Sequence, residues 1–299
     1  MDKDNKSLRK RMKNDAIYMG ICFLLCLVKW LPRSGALVLA GGLAKLGYYL
    51  ASQERQRTLS NLALAFGNTM SAKQRVTVAK QVFSNIAQNL VDSIIMERLL
   101  KKNPQNIMAV TNVAVAFAAL EKKEGIVFLT AHTGCFEMMP PCFSLLGFPI
   151  LVTGAKIYDD RLNRLISENR RLFNVTYIQR DENLREMING LKQGMGLGVL
   201  CDLHTRGESR TLPFFGRPAK TVSGPFKLAI KFHAAMIPVL TRRKSDGTQQ
   251  VTVYPEIIPQ GETLEEKIIF SMKRYHQILE EFIRADPTQW IWMHDRWKK

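Results

Sequence analysis

From residue 125 to the carboxy terminus, short apolar runs alternate with longer amphipathic stretches, and this alternation restricts the fold more than any other feature of the chain. Ile126-Val127-Phe128-Leu129-Thr130 is apolar, bounded by charge on its amino-terminal side, and reads as a buried strand. Residues 148–153 and 175–178 read as two more strands, with the basic helix 159–173 between them. A helix over 183–193 leads to the almost wholly apolar strand 196–202, which ends in Asp202. After the turn Pro213-Phe214-Phe215-Gly216, the pattern predicts a helix over 222–232, a strand over 236–240, an edge strand over 248–253 and a terminal helix over 264–283. Near-continuous apolar strands separated by helices indicate an α/β fold with a buried, mostly parallel sheet flanked by helices.

The preceding residues read as helical. A helix from about Gln53 stops at Gly67-Asn68, and Ser71 caps a longer one. In that second helix Val76, Val78, Ala79, Val82, Phe83, Ile86, Leu90 and Ile94 recur at three- and four-residue steps and form an apolar face. Asn85, Gln88, Asn89 and Asp92 read as its polar edge. The expected organisation is a basic tail with apolar helices over 1–50 and one α/β domain over 51–299, entered through helices at 51–105, with its core at 106–299.

The amino terminus joins basic residues to apolar ones. Lys3, Lys6, Arg9, Lys10, Arg11 and Lys13 precede the apolar run 16–28, and no small-residue cleavage site follows. A second apolar stretch begins at Gly35. Two arrangements fit: one short uncleaved anchor, or two helices lying on one leaflet, with the body of the protein on the cytoplasmic side. The formal charge of +17 calls for an anionic partner. No recognition helix, zinc spacing or RNA-binding aromatic signature accompanies it, which argues against nucleic acid. The five cysteines show neither a disulfide framework nor metal-ligand spacing, so no metal is expected.

His132 and Glu137 stand at the mouth of the 126–130 strand, five residues apart with Gly134 easing the turn between them. A histidine there can take a proton from a hydroxyl, with the carboxylate holding its tautomer and stabilising the imidazolium. Cys135 reads as a packing residue. The segment from Pro287 to Trp297 is rich in tryptophan, which suits a membrane-interface or lipid-facing surface.

These residues, taken in order, resemble the bacterial lipid A biosynthesis acyltransferases (Kdo2-lipid A lauroyl/myristoyl-type), a branch of the lysophospholipid acyltransferase superfamily. His132 and Glu137 fit the HxxxxE form of its motif. Asn61-Leu62 with Phe66 fits an upstream segment, and Tyr158, Asn163 and Arg170 fit the basic helix. Asp202 fits the Asp of an Asp-Gln pair, and Pro213-Phe214-Phe215-Gly216 fits a Pro-Phe-Phe-Gly turn. Pro238, Trp290, Trp292, His294, Arg296 and Trp297 complete the series. The chain departs from the pattern at Leu203, where many members have Gln, and at Gly67, where many have Pro.

The resemblance implies a glycerolipid-acyltransferase-like α/β fold and transfer of an acyl chain from a thioester to a hydroxyl, with no cofactor. Its expected partners are an acidic acyl carrier protein as donor, an anionic phosphorylated glycolipid as acceptor and a membrane surface, at the cytoplasmic face of a bacterial inner membrane. A lysophospholipid or phosphatidylinositol mannoside acceptor, with acyl-CoA as donor, is the alternative. Arg170, Arg206 and Arg210 are candidates for the acceptor's phosphates. Asp202 either orients one of those arginines or closes its strand. The oxyanion falls to backbone N–H groups near Gly134 or to a nearby arginine.

Overall fold

A computed structural model describes residues 2–298, apart from 103, 155–159, 162, 165–167, 169–170, 180–183 and 206. Its centre is a sheet of seven strands: β1 (Met108–Thr111), β2 (Ile126–Thr130), β3 (Ile150–Gly154), β4 (Thr176–Gln179), β5 (Gly196–Leu200), β8 (Ala235–Arg243) and β9 (Gln249–Val253). Their order across the sheet is β1-β9-β8-β2-β5-β3-β4. The five from β8 to β4 are mutually parallel; β9 runs antiparallel to β8, and β1 pairs in parallel with β9. The mostly parallel α/β sheet expected from the alternation is therefore present. β9 is not the edge strand that its short alternating run predicts, because β1 covers its outer side. A separate hairpin, β6 (Ser209–Phe214) and β7 (Arg217–Val222), turns at the predicted aromatic turn and takes up its flanking residues as strands. Its two turn residues, Phe215 and Gly216, both have positive φ, 50° and 70°, the geometry that matches the twist of a two-residue hairpin.

Helices cover both faces. α3 (Ser52–Phe66) ends at Gly67, and α4 (Ala72–Ile94) starts with a capping box between Ser71 and Gln74. Short helices α5 (Met96–Lys102), α6 (Pro104–Ile107) and α7 (Ala114–Glu121) lead into the sheet. α8 (Met139–Leu145) follows β2, α9 (Leu184–Lys192) precedes β5, and α10 (Gly224–Lys231) precedes β8. The terminal α11 (Leu264–Ala285) is also held by a capping box, from Thr263 to Glu266, and buries Tyr275, Leu279 and Ile283 against the sheet.

The amino terminus forms α1 (Asp2–Trp30) and α2 (Arg33–Leu50). Among the described residues no helix is long and apolar enough to cross a membrane. α2 turns a stripe of Ala36, Ala40, Ala44 and Tyr48 inward, and Ala36 and Ala40 pack with Val91 and Ile95 of the α4 region. Small residues at four-residue spacing let the two helices approach closely. The large apolar residues face out: Met19, Phe23 and Trp30 on α1, and Val38, Leu43, Leu46, Tyr49 and Leu50 on α2.

An ion-pair cluster clamps this helical pair to the sheet. Asp92 of α4 is fully buried and accepts from Arg33 Nε at 2.8 Å and from Arg243 Nη2 at 2.6 Å. Asp92 and Asn85 are thus interior groups, whereas their sequence context places them on a polar edge; each is admitted to the interior by specific partners. Leu90, predicted on the apolar face of α4, is exposed instead.

Candidate functional site

The site lies at the carboxyl ends of the parallel strands, where the chain leaves β2 and β5. The polypeptide passes from Thr130 through Ala131 to His132, then turns sharply at Gly134. Gly134 has φ of 45°, and a Cβ there would lie 2.7 Å from the Thr241 carbonyl oxygen of β8, so no larger residue fits without displacing the turn. The turn is stitched to the carboxy-terminal segment by the Gly134 N–H donating to Gln289 O at 3.1 Å, and by a bridge between Thr133 and Trp290.

β5 and β2 are paired in register, Thr130 opposite Leu200, so the residues just beyond them also meet. Asp202 Oδ1 lies 2.9 Å from His132 Nδ1, while Asp202 Oδ2 accepts from the His132 backbone N–H at 2.9 Å and the Trp290 indole N–H at 2.8 Å. Burial pushes the Asp202 carboxyl upward, but the neighbouring imidazole and these hydrogen bonds hold it below the usual carboxylate range. An ionised carboxylate only accepts, so Nδ1 carries the ring hydrogen and Nε2 is the basic nitrogen. The carboxylate that fixes the tautomer is therefore that of Asp202. The sequence assigned this role to Glu137, and to Asp202 an arginine or a structural strand end. Glu137 lies further along the same turn and lines the cavity onto which His132 opens. The Phe136 ring packs edge-on to the imidazole at 4.9 Å between centroids.

The other predicted residues fall in different places. Arg210, on β6, is paired with Glu265 at the start of α11, Nη2 to Oε2 at 2.7 Å. Tyr158, Arg170 and Arg206 lie outside the described residues. Trp290 and Trp292 are not surface residues: both are fully buried, stacked edge to face at 4.7 Å between centroids. Their indoles find acceptors inside the protein, Asp202 for Trp290 and Pro287 O for Trp292. Asn61 Nδ2 donates to Trp292 O at 2.8 Å and His294 O at 2.7 Å, and Phe66 packs against Trp292. Residues scattered through the motif series thus converge to hold the carboxy-terminal segment that supports His132 and Asp202.

The backbone donors of residues 132–135 are engaged. The N–H of His132 goes to Asp202, that of Thr133 to Ala131 O, that of Gly134 to Gln289 O and that of Cys135 to Gln249 Oε1. In this structure those four N–H groups are therefore turned to partners within the protein. Cys135 is buried, donates to Asn89 O, and has its thiol pushed up to about 12 by desolvation; it packs as a neutral thiol. His294 stands near the pair and accepts the His204 N–H at Nε2, with burial lowering its basicity. Among the described residues no group of His, Cys, Asp and Glu is placed to hold a metal ion.

Known proteins match the chain along its length. The family model described as bacterial lipid A biosynthesis acyltransferase covers residues 3–299. The chain belongs to that family. It is also 25% identical over 284 residues to the lipid A biosynthesis lauroyltransferase of Escherichia coli (strain K12), covering 92% of this chain and 89% of that protein. Its chemistry is O-acyl transfer, as the motif series implies.

Proposed function

We propose that the protein transfers a fatty acyl chain from an acyl carrier protein thioester to a hydroxyl of a lipid A precursor or a closely related phosphorylated glycolipid. It would work at the cytoplasmic face of a bacterial inner membrane. The observation that carries this reading is the His132–Asp202 pair at the strand ends, opening onto an apolar groove in a chain of this family.

His132 Nε2 takes the proton of the acceptor hydroxyl as its oxygen attacks the thioester carbonyl carbon. The tetrahedral intermediate collapses with cleavage of the C–S bond. The imidazolium returns its proton to the departing thiolate, so no acyl-enzyme forms. Asp202 keeps Nδ1 protonated and stabilises the imidazolium, with Glu137 adding a second negative charge on the same turn. Arg170 and Arg206 are the residues proposed to receive the acceptor's phosphates and the developing oxyanion; Arg210 joins them only by releasing Glu265. The charge of +17 favours an acidic carrier protein and an anionic membrane alike. The outward apolar residues of α1 and α2, next to the basic tail, suit two helices lying in the headgroup region.

Mass spectrometry of membrane lipids from cells with and without the protein tests the proposal. A phosphorylated glycolipid should appear with one additional acyl chain only when the protein is present. Acylation confined to glycerophospholipids would overturn the choice of acceptor.

A further inference from the structure

The turn that carries His132 is wedged between two elements. On one side the β8–β9 hairpin supports it. The Thr241 N–H donates to Thr133 Oγ1 at 3.3 Å, and the Cys135 N–H donates to Gln249 Oε1 at 3.2 Å. On the other side is α4, where Asn89 O accepts from Cys135 Sγ at 3.3 Å. Gly134 leaves no slack, since even a Cβ there would lie 3.0 Å from Arg242 Cα. The separation of α4 from the hairpin therefore determines where the turn sits.

A polar cluster sets that separation. Arg243 and Gln249 are cross-strand neighbours next to the hairpin's tip. Asn89 and Asp92, three residues apart, lie on one side of α4. Arg243 Nε and Gln249 Nε2 both donate to Asn89 Oδ1, at 3.0 Å and 3.2 Å, while Arg243 Nη2 reaches Asp92 Oδ2 at 2.6 Å. Gln249 and Asp92 are fully buried and Arg243 nearly so. The Arg243 backbone N–H also donates to Gln289 Oε1 at 2.8 Å, and Gln289 O is the acceptor for Gly134.

Arg33, the first residue of α2, joins this cluster from outside. Its fork spans Asp92, Nε to Oδ1 at 2.8 Å and Nη2 to Oδ2 at 3.0 Å, and Nη2 also donates to Gly247 O at the hairpin tip. Arg243 Nη1 shares that carbonyl at 3.1 Å. Two guanidiniums thus tie one carboxylate of α4 to one carbonyl of the hairpin, and one of the two belongs to the amino-terminal helical pair. Planar forks hold direction as well as distance, which an ammonium does not.

We infer that Arg33, acting with Asp92 and Arg243, is a positioning residue for acyl transfer. It holds α4 and the β8–β9 hairpin at the spacing that places His132, so the docking of α2 serves the chemistry as well as the membrane. The kinetic consequence rests on the acyl-transfer reading above. A displacement of about 1 Å in a reacting group can cost about a hundredfold in rate.

Arg33→Met is the cleanest probe, because Asp92 keeps Arg243 and no lone buried charge is left. The full-length protein is assayed in detergent, with an acyl carrier protein thioester and a bis-phosphorylated, acylated glucosamine disaccharide, so membrane binding plays no part. Turnover, kcat, should fall about tenfold or more while both KM values stay within about twofold. Arg33→Lys, which keeps the charge without the fork, should lose less. Gln249→Met should also lower kcat, and the double variant should be no slower than the slower single one, since both act on one spacing. Hydrogen exchange in Arg33→Met should quicken at the amides of residues 133–135 and hold in β2 and β5.

An unchanged kcat in folded Arg33→Met, additive losses in the double variant, or exchange that quickens throughout the protein would overturn the inference. If Arg33→Met does not fold, Arg33→Lys and Gln249→Met carry the same readouts. Absence of transfer by the unaltered protein would count against the acyl-transfer reading itself, and exchange at residues 133–135 would still decide whether Arg33 positions the turn.

Discussion

Asp202 Oδ1 meets His132 Nδ1 at 2.9 Å, and Asp202 Oδ2 is held by the His132 backbone N–H and the Trp290 indole. One buried carboxylate thus fixes the tautomer of the ring, the start of the turn and the terminal segment together. Asp202→Asn retains the shape but presents an amide that can donate to Nδ1, favouring the wrong tautomer. We expect kcat to fall by about a thousandfold or more, as when the equivalent carboxylate is changed in Ser-His-Asp sites, with acceptor KM little altered. Steady-state kinetics of the folded variant check this; a loss confined to KM would refute the orienting role.

Gly134→Ala should be more disruptive than its size implies. The added Cβ falls 2.7 Å from the Thr241 carbonyl oxygen, at a φ of 45° that L-residues rarely adopt. A destabilisation of about 2 kcal/mol or more is expected, with loss of transfer as His132 shifts. Chemical denaturation and turnover of the same preparation measure both effects.

Much of this was legible in the sequence. Apolar runs over 126–130 and 196–202 marked two strands, and Ser71 and Gly67 marked helix ends that the structure reproduces. The position of His132 just beyond such a strand was legible in the same way. Its partner was not, because five-residue spacing makes Glu137 the nearest carboxylate in the chain, whereas strand register makes Asp202 the nearest in space. The tryptophans misled for a related reason: aromatic richness indicates a lipid-facing surface and an interior equally well, and only the acceptors Asp202 and Pro287 O decide between them. Asp92 read as a polar edge because its cations, Arg33 and Arg243, are remote in sequence.

Stability should fall on mild acidification through His276. Its Nδ1 lies 2.9 Å from Pro213 O, its Nε2 faces Thr221 and the Arg296 guanidinium, and Phe214 packs on the ring. Burial, then the Arg296 charge, lowers its pKa to about 4. The unfolded chain, titrating near about 6.5, binds more protons between those values. The contribution is complete above the unfolded pKa and is lost as pH falls towards the folded one, about 3 kcal/mol in all. Thermal denaturation from pH 7 to pH 4 should show this decline, and His276→Gln should flatten it.

The outward face of α1 should govern membrane binding separately from chemistry. Phe23 and Trp30 are 69% and 84% exposed. Replacing both with serine should weaken partition onto anionic vesicles by about a hundredfold or more, since each buried aromatic is worth about 1.5–3 kcal/mol. Transfer to an acceptor dispersed in detergent should persist. Co-sedimentation with vesicles, alongside that assay, separates the two.

The most direct test of the account is the transfer rate of His132→Ala, measured with saturating acyl thioester and acceptor on protein shown to be folded and vesicle-bound. Loss of the general base should cut turnover by about a hundredfold or more while leaving both other properties intact. Near-normal turnover in that variant would contradict the proposed chemistry.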